Sequence, residues 1–356
     1  MSEKKIKNKI LYLSFNKDKS CLSLGMQNGY RIYDLTKKDN LFFYERNFGK
    51  GIGIIEMLEK TNILGLVGGG SDPWDKPNKL FIYDDREGKV IANFGFRNNI
   101  LNIRLKKDKM LVICETHIFL INFGDYKTIE SISLGEEKRS IVGFAFTLNS
   151  QVNKLAYNFI NSVENKIIVN NYDENNKKTS IEIKSNLKQN NLIRFMEFSK
   201  KGQFLVVAAV KSRYLELFNS ETGVNICKCD MESDSLNVKF ICFSKDNDFI
   251  CCSLYGECFI FNIKSVVNTQ EEDEEMGNLN NIEINRDIKL KIWSKFYLPE
   301  KKAICSFIHF LEDEQDKEYV VCIGIKGNYY LVKFDKDKSD TLAEKVCEKY
   351  FLKNDC

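Results

Sequence analysis

The chain has 356 residues, enough to bury one large core or two modest ones, and its hydrophobic share of 43% and aromatic share of 12% are those of a folded globular protein. Its 53 basic and 50 acidic side chains leave a net charge of +3, so the molecule as a whole steers no anionic partner and any electrostatic function needs a local patch. No run of about 18 apolar residues occurs, which excludes a membrane-spanning helix.

The start, "MSEKKIKNKILYLSF", carries charge but no apolar signal core or small-residue cleavage site. Without an export signal, the 12 cysteines are expected to be buried reduced thiols, and the protein is expected to be cytoplasmic, peripheral on endomembranes at most.

Short β-branched and aromatic runs then recur, each closed by Asp, Asn or Gly turns. The first unit, "ILYLSFNKDKSCLSLGMQNGYRIYDL", reads as three strands separated by "NKDK" and "MQNG". The second is "IGIIEMLEKTNILGLVGGG" with "NKLFIYDD", and the third is "ILNIRLKKDKMLVICETHIFLINF". The fourth runs from "IVGFAFTLNSQVNKLAYNF" to "NKIIVNNYD"; the fifth is "LIRFMEFSKKGQFLVVAAVKSRYLELFN". The sixth is "VKFICFSKDNDFICCSLYGECFIFNI" and the seventh "AICSFIHFLEDEQDKEYVVCIGIKGNYYLVKFD".

Units spaced by about 40–50 residues fit propeller blades. A four-stranded sheet cannot cover both its faces, and packing seven around an axis does. The expected fold is therefore all-β: a seven-bladed β-propeller of four-stranded antiparallel blades, one domain over residues 1–356. Residues 264–290 form a polar insertion after blade six, acidic at 271–275 and expected to be flexible at its centre. Ordered chain is expected to resume at "KIWSKFYLP", packing as blade seven begins.

The segment "LVGGGSDPWDKPNKLFIYDD" holds three consecutive glycines and two of the three prolines. It lacks the glycine-lysine-hydroxyl ending of a phosphate-binding loop, and a strand follows it where that loop needs a helix. As a blade loop it is intelligible: Gly68, Gly69 and Gly70 permit positive φ or close backbone approach, and Pro73 and Pro77 stiffen the excursion. The Trp74-Asp75 pair lies in this loop, away from the strand end where a repeat signature would sit.

With its Pro-Asn-Lys ending at Asn78 and Lys79 and the following "IYDD", the loop resembles the second blade of the PROPPIN family, seven-bladed propellers that bind phosphoinositides in autophagy and endosomal traffic. "LSFNKDKSCLSLGMQNGYRIYDL" resembles that family's first blade, and "KIWSKFYLP…AICSF" with "KGNYYLVKF" its last.

The resemblance implies a Leu/Phe-Arg-Arg-Gly motif between blades five and six, each arginine serving one phosphoinositide site. Guanidinium suits that task, since its fork pairs a phosphate through two parallel hydrogen bonds. In ungapped register on "LNVKFICFSKD" the motif falls on Cys229, Asp230, Met231 and Glu232, so both arginines are absent. The implied supporting histidine is Gln189, and a serine and a threonine fall on Ala209 and Arg213. In blade six Ser253 remains, while a histidine and a threonine become Tyr255 and Glu257. Lys200, Lys201, Lys211, Lys228 and Arg213 are nearby in sequence and are the candidates to compensate.

The family also inserts a blade-six loop into the bilayer. Here that loop is acidic, and the residues available for insertion are Val266 and Val267 beside Lys264, then Ile292, Trp293, Phe296 and Tyr297. Asn16 and Asp18 match positions by which some members hold the large lipid-transfer protein of the autophagy machinery, although hairpin turns favour the same residues.

Cys227 and Cys229 share one strand face, with Cys251 and Cys252 in the next blade, and no paired CxxC spacing supports a metal there. His117 and His309 stand among apolar strand residues with no catalytic partners, so neither an enzyme nor a cofactor is expected. Nucleic acid is disfavoured by the balanced charge. A monomeric adaptor is expected, binding protein partners of autophagy or trafficking, with phosphoinositide binding weak or lost. The alternative is a phosphatidylinositol 3-phosphate-dependent recruiter with a remodelled basic site in blades five and six.

Overall fold

The apolar runs pair with their nearest neighbours in sequence, as short turns between β-branched segments require. The computed structural model describes residues 9–37, 43–135, 143–149, 151–158, 165–187, 192–232, 237–268, 288–308, 310, 318–339, 341–350 and 352. Four consecutive antiparallel strands make each of the first five blades: β1–β4 (residues 10–47), β5–β8 (52–95), β9–β12 (100–133), β13–β16 (144–184) and β17–β20 (193–230).

Blade six begins as β21–β23 (240–262). The chain then lays β24 (Lys289–Leu290) parallel on the edge of blade five before β25 (Ser294–Tyr297) closes blade six. Blade seven repeats this device. After β26–β28 (303–334), β29 (Thr341–Leu342) pairs with the edge of blade six, and β30 (Glu344–Tyr350) completes blade seven. The seven-bladed, all-β expectation holds, with two blades gaining a two-residue fifth strand. One expectation is corrected: "KIWSKFYLP" supplies the fourth strand of blade six, and blade seven starts at Ala303.

Interior strands such as β2, β10 and β18 are buried on both faces, whereas outer strands such as β4 and β8 are largely exposed. This is why "FLVVAA" reads as a continuous apolar run. Each fully buried Val or Leu contributes roughly 1.5–3 kcal/mol relative to exposure. Among the described residues, no strand is exchanged between blade one and blade seven where the ring closes. Leu22, Leu24, Met26 and Tyr33 of blade one instead pack on Tyr319, Val321, Ile323 and Leu331 of blade seven.

Buried cations stitch neighbouring blades. Lys106, fully buried after β9, donates to the carbonyls of Asn149 and Val152 and to Asn153 Oδ1 in the first turn of blade four. Lys154 of blade four in turn donates to Gly202 O and Ser220 Oγ of blade five at 3.0 and 2.9 Å. Burial lowers the Lys106 ammonium from 10.5 to about 8.

The glycine loop locks blades one and two together. Gly70 has φ +84°, and a Cβ on Gly69 would lie 2.5 Å from Gly53 Cα. A Cβ on Gly68 would lie 1.9 Å from Asp75 O. Trp74 stacks on Phe48 with centroids 5.1 Å apart and packs against Phe81 and Tyr83. Asp85, the last residue of "IYDD", accepts from Tyr30 and from Arg46 of blade one. The loop is thus an interlocking element between blades one and two.

Two outcomes test this packing. Gly69→Ala should lower the urea midpoint by the equivalent of about 2 kcal/mol, while Gly95→Ala, with open space at its Cβ, should change it by less than about 0.5 kcal/mol. For Lys106 the folded state binds fewer protons than the unfolded state between its folded value of about 8 and its unfolded 10.5. The unfolding free energy of wild type, measured relative to Lys106→Met, should therefore rise as pH increases through that window.

Candidate functional site

Strand register decides which candidate residues can meet. Tyr214 pairs with Asp230 and Phe204 with Asn219, so the β18–β19 turn and the end of β20 lie at one end of blade five. There Arg213 forks onto Asp230: Nε donates to Oδ1 and a terminal nitrogen to Oδ2, both at 2.9 Å. The guanidinium holds the Asp230 carboxyl below its usual range. Asp230 Oδ1 also accepts from the Glu232 amide at 2.8 Å. Glu232 has φ 63°, a left-handed conformation that favours the glycine of the implied motif.

Met231 turns the other way. Its side chain is 1% exposed, in the core cluster shared by blades five and six with Val238, Leu254 and Ile292. Ala209 is fully buried as well, and Cys229 lies in the same cluster as Met231. Of the motif tetrapeptide, Asp230 and Glu232 face outward and both are acidic.

Lys211 shares this end, bridging to Asn237. Lys228 stands across from buried Glu216 along β19–β20. Lys200 and Lys201 do not belong to the group. They sit on the β17–β18 turn at the opposite end of the blade, about 20 Å away for a six-residue strand. In blade six Ser253 is buried and donates to Ala303 O at 2.8 Å, a packing role. Tyr255 is half exposed between Lys239 and Lys301, whose ammonium groups lie 6.0 and 5.1 Å from its ring centroid. Sequence reasoning missed both lysines; Lys301 comes from the connection between β25 and β26 that leads into blade seven. Glu257 pairs with Tyr297 across β23–β25. Gln189 and His309 lie outside the described residues, as do 269–287 with the acidic run.

The insertion candidates are corrected. Val266 and Val267, on a short helical turn, are 9% and 5% exposed in the core between blades five and six. Lys264 beside them pairs with Asp248 at 3.2 Å. Ile292 and Phe296 are buried, and Trp293 donates Nε1–H to Asp335 O at 3.0 Å. Tyr297, 65% exposed, is the member of the set that faces outward.

Asn16 is 2% exposed and serves the first hairpin turn: its Oδ1 accepts from the Cys21 amide and its Nδ2 donates to Ser20 Oγ and Glu59 O. Asp18 is exposed and accepts from the Ser20 amide and hydroxyl. That turn borders a cavity of about 520 Å³ on the propeller axis, lined also by Phe146, Phe198, Phe243, Lys200 and Lys245. His117 is half-buried, stacked on Phe119 and 2.9 Å from Thr116 Oγ1 through Nδ1. Cys227, Cys251 and Cys252 are buried.

A family model described as PROPPIN matches residues 10–281. The chain belongs to the PROPPIN family. This PROPPIN is 25% identical to SVP1-like protein 2 of Saccharomyces cerevisiae over 335 residues, covering 84% of this chain and 73% of that protein. It is 24% identical to Autophagy-related protein 18 of Scheffersomyces stipitis, covering 71% of this chain and 50% of that protein. The chain spans about half the length of the Autophagy-related protein 18 relatives from that yeast and from Komagataella pastoris. Among solved structures, Kluyveromyces lactis Hsv2 with its complete loop 6CD superposes with a TM-score of 0.75 at 16% identity, covering 96% of this chain and 98% of that one. A complex of KlAtg21 with the coiled-coil of AgAtg16 superposes with a TM-score of 0.70 at 18% identity, covering 96% of this chain and 99% of the matched one. These structures share the propeller fold.

The opposite facings of Asp230 and Met231 give a direct expectation. Met231→Arg should destabilise the fold by about 3 kcal/mol or more, because it places an unpaired guanidinium in a closed core. Asp230→Arg, at a partly open position, should cost much less. Thermal unfolding of the two variants checks the difference.

Proposed function

We propose that this PROPPIN is a non-enzymatic propeller adaptor of autophagy or endomembrane traffic that works through protein contacts, with phosphoinositide recognition weakened or lost. The observation that carries this reading is the Arg213–Asp230 fork beside a buried Met231. A phosphate arriving at Arg213 has to displace a carboxylate already holding two of its hydrogen bonds, and the second motif position offers no cation. Charge-assisted hydrogen bonds contribute roughly 1.5–3 kcal/mol each, so the loss of one guanidinium per site lowers affinity by tenfold to a hundredfold.

A protein-partner role is supported by the relatives' names as autophagy proteins and by the solved complex of KlAtg21 with the AgAtg16 coiled-coil. The partner proposed here is a component of that machinery, its large lipid-transfer protein included, engaged by the monomeric propeller on the blade-one-to-three side. Asp18 is the exposed member of the two residues implied for that contact; Asn16 serves its own turn. The second reading, recruitment by phosphatidylinositol 3-phosphate through a remodelled site, draws on Lys211 and Arg213 at one end of blade five. No helix among the described residues is long and apolar enough to cross a membrane.

Flotation with vesicles that contain or lack phosphatidylinositol 3-phosphate separates the two. Wild type should float equally with both, and Asp230→Ala, which removes the carboxylate holding two of the Arg213 hydrogen bonds, should float more with the lipid present. Salt-resistant, lipid-specific flotation of wild type would defeat the adaptor reading.

A further inference from the structure

Between blades six and seven, thiols from five strands meet in one layer. Cys242 on β21 stands opposite Cys251 on β22, and Cys258 on β23 sits diagonally with its sulfur 3.3 Å from that of Cys251. From the facing sheet, Cys305 on β26 brings its sulfur to 3.6 Å from Cys251, and Cys322 on β27 pairs with it. All five side chains are fully buried. The sulfurs of Cys242, Cys251 and Cys305 all lie within 4.8 Å of one another.

We propose that Cys242, Cys251 and Cys305, with Cys258 as the adjoining fourth sulfur, form a structural site for one thiophilic closed-shell metal ion, zinc(II) or copper(I), that ties blade six to blade seven. Metal–sulfur bonds of about 2.3 Å place ligand sulfurs about 3.8 Å apart around a tetrahedral ion and about 4.0 Å apart around a trigonal one. The Cys251–Cys258 and Cys251–Cys305 separations lie within about half an ångström of the tetrahedral value, and the Cys242, Cys251 and Cys305 sulfurs, all within 4.8 Å of one another, have to draw in by up to about 1 Å to close on an ion.

Packing alone does not call for sulfur here. The equivalent layer between blades two and three is filled by Leu80, Ile82, Ile103, Leu105 and Val112. The layer between blades six and seven instead gathers five of the eleven described cysteines, drawn from both sheets. An all-sulfur set selects soft ions over magnesium or calcium. The layer is closed, so the ion enters as the blades fold, each ligating thiol releasing its proton to solvent. Cys252, one residue from Cys251, points to the opposite face, into the blade-five layer with Met231. The site is therefore independent of the candidate phosphoinositide residues.

The full chain should be expressed with both metals supplied, washed with EDTA and analysed by elemental mass spectrometry. The expected content is near one equivalent of zinc or copper per chain, lost in Cys251→Ala and kept in Cys252→Ala. Release to a copper(I)-specific chelator or to a zinc indicator distinguishes the two ions. Should Cys251→Ala fail to fold, the wild type decides: stripping the metal should lower the thermal midpoint, and zinc(II) or copper(I) should restore it. Folded wild type with only background metal, equal metal in the two alanine variants, or an unchanged midpoint after stripping would each overturn the site.

Discussion

A four-stranded β-sheet with two apolar faces cannot satisfy itself, and this constraint organises the molecule. Each blade covers the next, and the seventh covers the first through Tyr319, Leu331 and their partners on blade one. The faces are thereby committed to packing. Chemistry is pushed to strand ends and turns, and several of the charges that stay inside serve a neighbouring blade. Lys106 and Lys154 do so by donating to turn carbonyls one blade along. Glu56, buried by the axis, accepts from Ser14 of blade one and lies 3.5 Å from Arg104 of blade three. Burial raises the Glu56 carboxyl and the nearby guanidinium opposes that rise.

The same logic makes the end of blade five informative. A phosphate-binding rim needs cations whose hydrogen bonds are open to a ligand. The Arg213 guanidinium stands at this rim, but an aspartate from the adjacent strand holds it in a forked pair, and the residue after that aspartate is in the core. The fork is part-buried, with the Asp230 side chain 16% exposed, and its bidentate geometry holds the guanidinium in one orientation. For binding, it sets a competitor at the atoms a phosphate would use. Lys239 and Lys301 around Tyr255 keep some positive charge at blade six. They present separate ammonium groups where a forked donor would give geometric selection.

The blades were legible in the sequence because period-two strands and Asn, Asp or Gly turns are local signals, and the glycine loop was legible because its steric demands are local too. What escaped was information held in pairing. Lys200 and Lys201 are close to Arg213 in sequence, yet a hairpin carries them to the far end of the blade. Val266 and Val267 looked available to a membrane until the fold placed them in a core. "KIWSKFYLP" followed the insertion and looked like the next blade, because nothing local shows that a third strand is still awaiting its neighbour across a long excursion. Asn16 is a buried turn residue whose side chain is used by its own hairpin and by the Glu59 carbonyl of blade two. The cysteine layer had no signature at all, since its five members come from five strands of two blades.

Phosphoinositide recognition at this rim turns on the occupied state of Arg213. Titration calorimetry of the wild type with soluble inositol 1,3-bisphosphate, the headgroup of phosphatidylinositol 3-phosphate, tests it without the complications of a bilayer. The account predicts no saturable heat at concentrations where a two-arginine site would fill. Saturable binding that disappears in Arg213→Ala would contradict it.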